Sequence, residues 1–188
     1  MKLKFAAALL AGLASAAFAA PTTLVVDGSH SQPYFEVSHF GYSIQRGTFA
    51  KVDGTIVIDA DKKTGSADIT IDANSLDTHW AARDKHLKSP DFFNVEKFPT
   101  MTFKATSFKF DGDKLTSVDG NFTLLGVTKP LTLSVSQFRC GDHPMLKKFV
   151  CGAEASGTIK RSDFGMTTFV PAISDEVHLV IPVEAAKQ

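Results

Sequence analysis

The chain has 188 residues, 44% of them hydrophobic, and its 20 basic side chains are balanced by 20 acidic ones. That apolar content suffices for one packed domain and excludes intrinsic disorder, which goes with low hydrophobicity and high net charge. A formal charge of zero supplies no phosphate-seeking field, which argues against a nucleic-acid-binding protein.

Residues 1–19 carry Lys2 and Lys4, then an Ala-rich apolar run ending in Ala17-Phe18-Ala19, a small-x-small cleavage pattern. The run is too short for a transmembrane helix, so it reads as a cleavable signal peptide and leaves no stable membrane anchor. The expected mature chain, residues 20–188, is an exported, nearly neutral single domain.

Beyond residue 20 the sequence alternates with a period of two. Strands are expected at 24–27, 34–40, 48–59, 67–74, 101–110, 118–124, 131–136, 151–160 and 177–184. In the fourth of these Ala67, Ile69, Ile71 and Ala73 alternate with Asp68, Thr70, Asp72 and Asn74, the mark of a half-buried antiparallel strand. Turn signals separate the runs, among them Thr64-Gly65, Asp111-Gly112 and Gly126. Residues 80–88 read as the one helix, stopped by Ser89-Pro90.

Cys140 and Cys151, an even pair in an exported chain, are expected to form a disulfide across a short loop carrying Gly141 and Pro144. The expected fold is all-β: an antiparallel eight-stranded barrel with one short helix. Closure removes aggregation-prone edges, and eight strands leave room for one small ligand.

The sequence holds 16 Phe against two Tyr and one Trp, which suits an apolar interior better than a sugar platform. The positions in phase to line such an interior are Phe35 and Val37, Phe49, then Ile69 and Ile71. Met101, Phe103, Phe122, Leu124, Leu133 and Leu179 continue the set on the later strands. His39, Arg83, His86 and Arg161 are the polar candidates for the mouth or for a ligand's head.

Catalytic signatures are absent: there is no Gly-x-Ser-x-Gly elbow, phosphate-binding loop or His-Glu-x-x-His motif. His79 and His86 each follow an Asp by two residues, Asp77 and Asp84. On one helix, however, a seven-residue separation is about 10 Å of rise, too far for two ligands of one metal ion. Neither a catalytic residue, a metal nor a cofactor is expected.

Several blocks, taken in order, resemble the YceI family. They are D-G-S-H-S (27–31), V-S-H-F-G-Y-S (37–43), G-T-F (47–49), R-D-K-H-L-K-S-P-D-F-F (83–93), F-P-T-M-T-F (98–103), L-L-G-V-T-K-P-L-T-L (124–133) and R-S-D-F-G-M (161–166). The resemblance implies an extended lipocalin-like barrel in the periplasm that binds a polyisoprenoid or a similar long amphiphile such as an isoprenoid quinone, and by similarity a homodimer. The two cysteines depart from the family's commoner cysteine-free form. Two other functions stay open at this stage: a lipid-modifying or metal-dependent hydrolase built around His79 and His86, and a structural barrel that binds a partner and has a filled interior.

Overall fold

The computed structural model describes residues 20–188, and the signal peptide expected over residues 1–19 lies outside the described residues. Eleven strands form one antiparallel sheet. In chain order they are β1 (Thr22–Val26), β2 (Tyr34–His39), β3 (Ser43–Phe49), β4 (Val52–Asp59), β5 (Thr64–Asp72), β6 (Leu76–Asp77), β7 (Thr100–Asp111), β8 (Lys114–Leu124), β9 (Val127–Asp142), β10 (Phe149–Lys160) and β11 (Ile173–Lys187). One helix, α1 (Ala81–Leu87), lies between β6 and β7.

Eight of these strands close a ring in the order β1-β4-β5-β7-β8-β9-β10-β11, with β11 returning to β1. β2, β3 and β6 prolong three of those rows beyond kinks. The architecture is the expected eight-stranded barrel with one short helix. Residues 48–59, expected as a single strand, are divided between β3 and β4 at Ala50-Lys51. There the backbone leaves the ladder: the Ala50 amide donates to the Ser75 carbonyl (3.2 Å) and the Lys51 amide to Ser75 Oγ (3.0 Å). Ser75 ends a single 3-10 turn, Ala73–Ser75, begun by Asp72, whose carboxylate accepts from the Asn74 amide. Neighbouring rows therefore bend at the same height.

Closure depends on β11. One edge of it pairs with β10 from Glu176 to Ala186. The other edge pairs first with β2, from Ile173 opposite His39 to Val180 opposite Tyr34, and then with β1, from Ala185 to Lys187. Between the two partners the buried Ser31 side chain stands in for a strand. Its Oγ accepts from the Glu184 amide (2.9 Å) and donates to the Glu184 carbonyl (3.2 Å), which also accepts from the Asp27 amide.

The pairing registers define two ends. The base carries the links 59–64, 111–114 and 142–149; the opposite end, the mouth, carries the 39–43 turn, α1, the Leu125-Gly126 turn and the 161–173 segment. β6 stops at Asp77 and β7 starts at Thr100, so residues 78–99 cover the space left in the wall at the mouth. Phe92 and Val95 of this segment are buried, and Phe93 packs against Phe35 and Phe49.

Cys140 and Cys151 are disulfide-bonded and directly opposed on β9 and β10. Cys151 also pairs with Ala185 near the end of β11, which puts the cross-link at the base. The bond closes a sequence separation of 11 residues; replacing both cysteines by serine should cost about 2–3 kcal/mol in lost restraint on the unfolded chain, read as a lower urea midpoint.

The link between β1 and β2 is tied by Asp27. One carboxylate oxygen accepts from the Ser29 amide (2.9 Å) and hydroxyl (2.6 Å), and the other from His30 Nδ1 (2.8 Å). The Ser29 hydroxyl bond first, and the His30 bond next, draw the Asp27 carboxyl down to about 2, while the bond to Asp27 raises the His30 imidazole above 6.5. The Asp27 contribution to stability is present above its unfolded value and fades as pH falls toward 2. The His30 contribution is present below 6.5 and fades as pH climbs through the raised value. An NMR titration should find His30 titrating above 6.5, and Asp27→Asn should return it to the ordinary range.

Candidate functional site

The inward positions of the eight rows enclose a continuous cavity of about 820 Å³. That volume lies within the range of roughly 300–1,000 Å³ typical of small-molecule sites. All the apolar positions singled out from the sequence border it: Phe35, Val37, Phe49, Ile69, Ile71, Met101, Phe103, Phe122, Leu124, Leu133 and Leu179. It reaches down past Ile58 and Cys151, and up to His39, Phe40, Arg83 and Phe169.

A Phe-rich barrel of this size need not be hollow, and glycine explains why this one is. An added Cβ at Gly47 would lie 2.6 Å from the Phe35 ring, at Gly65 2.5 Å from the Phe108 ring, and at Gly120 2.5 Å from the Phe103 ring. Each ring thus lies against the wall, in room vacated on a neighbouring strand. Phe35, Phe103 and Phe108 all face the cavity from these positions. Nearer the mouth other rings pack on one another: Phe49 meets Phe93 edge-on at 5.5 Å, and Phe122 meets Phe164 at 5.7 Å. Such contacts fix wall shape through ring geometry as well as buried area.

The four polar candidates also border the cavity, all at the mouth end, but their situations differ. Arg161 is 3% exposed. Its Nε donates to the Ser174 carbonyl, Nη1 to the Met166 and Thr168 carbonyls, and Nη2 to the Ile173 carbonyl, at 2.9–3.2 Å. Four of the five donors of a guanidinium are thereby consumed. Arg161 holds the 166–174 segment in place, and its charge is spent inward on backbone. Burial lowers its pKa from the ordinary value, and the charge of Asp175 opposes that shift. Asp175 in turn accepts from the Ser162 amide and hydroxyl, an arrangement that lowers its own pKa.

Arg83 is half-buried and latches α1 to the barrel. Nη1 donates to Gln45 Oε1 on β3, Nε to Thr78 Oγ1 (2.8 Å) and Nη2 to the Thr78 carbonyl (2.6 Å). The Thr78 amide and hydroxyl are both held by Asp84. Trp80, which precedes the helix, lies with its ring 5.8 Å from the Arg83 guanidinium carbon, a cation–π contact. Two Arg83 donors remain for an occupant. His86 is exposed and meets the edge of Phe92 at 5.0 Å; His39 is half-buried and meets Phe40 at 4.7 Å.

His79 takes no part in this lining: it is exposed, with Nδ1 3.6 Å from Asp77 Oδ2. Among the described residues no group of three or more His, Cys, Asp or Glu side chains is placed to hold a metal ion. Thr78, Gln45, Phe40, Trp80 and Phe169 also border the cavity, although the sequence pattern alone did not single them out. Gln45 is on β3, in a stretch the alternation did not mark as a strand, and the other four sit on turns and on the covering segment, where no strand period marks which side faces in.

Residues 24–185 match the YceI-like domain family. A curated relative, protein YceI of Salmonella arizonae, is 45% identical over 189 residues, spanning 99% of this chain and 97% of its own. A crystal structure of the YceI protein of Campylobacter jejuni is 32% identical with a TM-score of 0.65, covering 76% of this chain and 84% of that one. The same fold recurs, at 16% identity and a TM-score of 0.67, in a polyisoprenoid binding domain from Saccharophagus degradans. That alignment spans 89% of this chain and 99% of the other.

Arg161→Ala should destabilise the fold by more than about 3 kcal/mol in urea unfolding, because buried carbonyls lose charge-assisted bonds. Arg161→Lys should recover only part of this, since an ammonium cannot reach carbonyls on several sides as the planar fork does.

Proposed function

The chain belongs to the YceI-like family, and from that premise we propose that it is an exported, periplasmic, non-catalytic carrier of polyisoprenoid or isoprenoid-quinone-like lipids. The observation that carries this reading is the 820 Å³ apolar cavity whose arginine and histidine side chains, His39, Arg46, Arg83, His86 and Arg161, border it on the side of the mouth. A long amphiphile has the same distribution, with an extended apolar tail and a single polar head. The name of the Saccharophagus degradans relative points to the same ligand class.

Burial arithmetic agrees. Each buried methylene contributes about 0.8 kcal/mol, and association costs about 4–15 kcal/mol. A tail of roughly ten methylenes therefore barely stays bound, whereas a longer prenyl chain does so without special contacts. The head is assigned to the region of His39, Arg83 and His86. Arg161 is left out of that set, because its donors already point at carbonyls.

Native mass spectrometry of the freshly purified protein, followed by solvent extraction, should show a stoichiometric long-chain lipid and no turnover of it. Protein that carries no lipid and takes none up, or turnover that a chelator abolishes, overturns the proposal. Ala155→Phe puts a ring into the middle of the cavity opposite Ile181 and should exclude long chains while shorter probes still bind. Arg83→Ala should weaken binding of a phosphate-headed lipid about ten-fold and leave a neutral quinone nearly unaffected, the loss of one charge-assisted bond. Equal losses for both would remove the charge role from Arg83.

A further inference from the structure

Large apolar side chains are exposed around the mouth: Phe40, Tyr42, Ile44, Trp80 and Phe169, each between 49% and 90% exposed. They come from three separate stretches, the β2–β3 turn and start of β3, the residue before α1, and the segment before β11. Phe40, Trp80 and Phe169 also border the cavity, so its apolar lining continues without a break onto the outer surface. Contiguous apolar surface of this kind marks an interaction site. Phe40 and Phe169 have φ of 53° and 62°, a left-handed conformation uncommon for a bulky residue.

The stretches that carry these side chains are themselves basic: residues 39–46, 78–88 and 165–173 hold Arg46, Arg83, Lys85 and Lys88 against one carboxylate, Asp84. The rest of the mouth, residues 89–99 and 161–164, is close to balanced, with Lys97 and Arg161 against Asp91, Glu96 and Asp163. Asp84 is turned onto Thr78, and Arg46 is paired with Glu36 behind it on β2. The base links show no such bias: Asp59, Asp61, Asp111, Asp113 and Asp142 meet Lys62, Lys63, Lys114, Lys147 and Lys148.

We propose that this collar is a membrane-docking surface, which seats the mouth on an anionic bilayer so that a lipid tail passes between bilayer and cavity without crossing water. The inference rests on the lipid-carrier reading and adds the surface by which cargo is exchanged. Tryptophan and tyrosine favour the membrane–water boundary, and each nearby lysine or arginine adds attraction to anionic headgroups. A second copy of the chain fits less well, because a two-fold interface at this patch would bring Arg83, Lys85 and Lys88 against their own equivalents.

Trp80 is the single tryptophan of the chain, so its fluorescence reports on the collar alone. With phosphatidylglycerol–phosphatidylethanolamine vesicles the emission should move to shorter wavelength, be quenched by brominated acyl chains, and be accompanied by cosedimentation. Vesicles of phosphatidylcholine alone should bind much less. Tyr42 and Ile44 do not border the cavity, so Tyr42→Ser with Ile44→Ser should weaken vesicle binding about ten-fold or more while copurified lipid persists in native mass spectrometry. Lys85→Glu, a change on the exposed side of α1, should weaken binding to the anionic vesicles independently. Absence of cosedimentation, or quenching unaltered in both variants, overturns the proposal. So does a dimer in analytical ultracentrifugation that the double variant dissociates while no vesicle binding is seen. Docking by a protein found to hold no isoprenoid would leave the collar standing and remove the carrier reading.

Discussion

The barrel closes because one 15-residue strand, β11, serves two partners along a single edge. Hydrogen bonding of a sheet edge is an obligation, since buried backbone donors and acceptors left unpaired are costly. β2 satisfies the first part of that edge and β1 the last, and the buried Ser31 hydroxyl covers the step between them. The same demand is met on the facing rows by Ser75, which receives the Ala50 and Lys51 amides where β3 gives way to β4, and the space between the end of β6 and the start of β7 is covered by residues 78–99. The cavity is the space left when eight rows meet this requirement and the inward rings lie along the wall.

Much of this architecture was legible in the residues. Alternation such as Ala67-Ile69-Ile71-Ala73 against Asp68-Thr70-Asp72-Asn74 identifies both the strand and its inner face, because side chains of a strand point alternately to its two sides. The positions chosen by phase accordingly border the cavity. The break at Ala50-Lys51 was not legible, since it arises from Ser75, some two dozen residues away in sequence, and leaves no local signal. Nor does composition tell a hollow barrel from a filled one. That depends on pairings such as Gly120 beneath Phe103, visible only once the register of β7 and β8 is known.

The polar residues teach a sharper lesson. Arg83 and Arg161 look alike in sequence, each a basic residue followed closely by an aspartate near a turn. Burial separates them. One guanidinium is enclosed by carbonyls of its own loop, and the other spans from helix to β3 with donors to spare. A charge near a cavity can therefore belong to the scaffold or to the occupant, and only the count of its satisfied donors distinguishes the two.

The cross-link between Cys140 and Cys151 sits at the pole opposite α1. Its consequence is mechanical. The covalent staple stiffens the end that has no reason to move, while the covering segment is fastened by side-chain hydrogen bonds from Arg83 that water can replace. Widening the aperture then needs that latch to let go and Phe92, Phe93 and Val95 to leave their packing, with every rung of the closed ring left intact, so the molecule can breathe at one extremity without unzipping at the other.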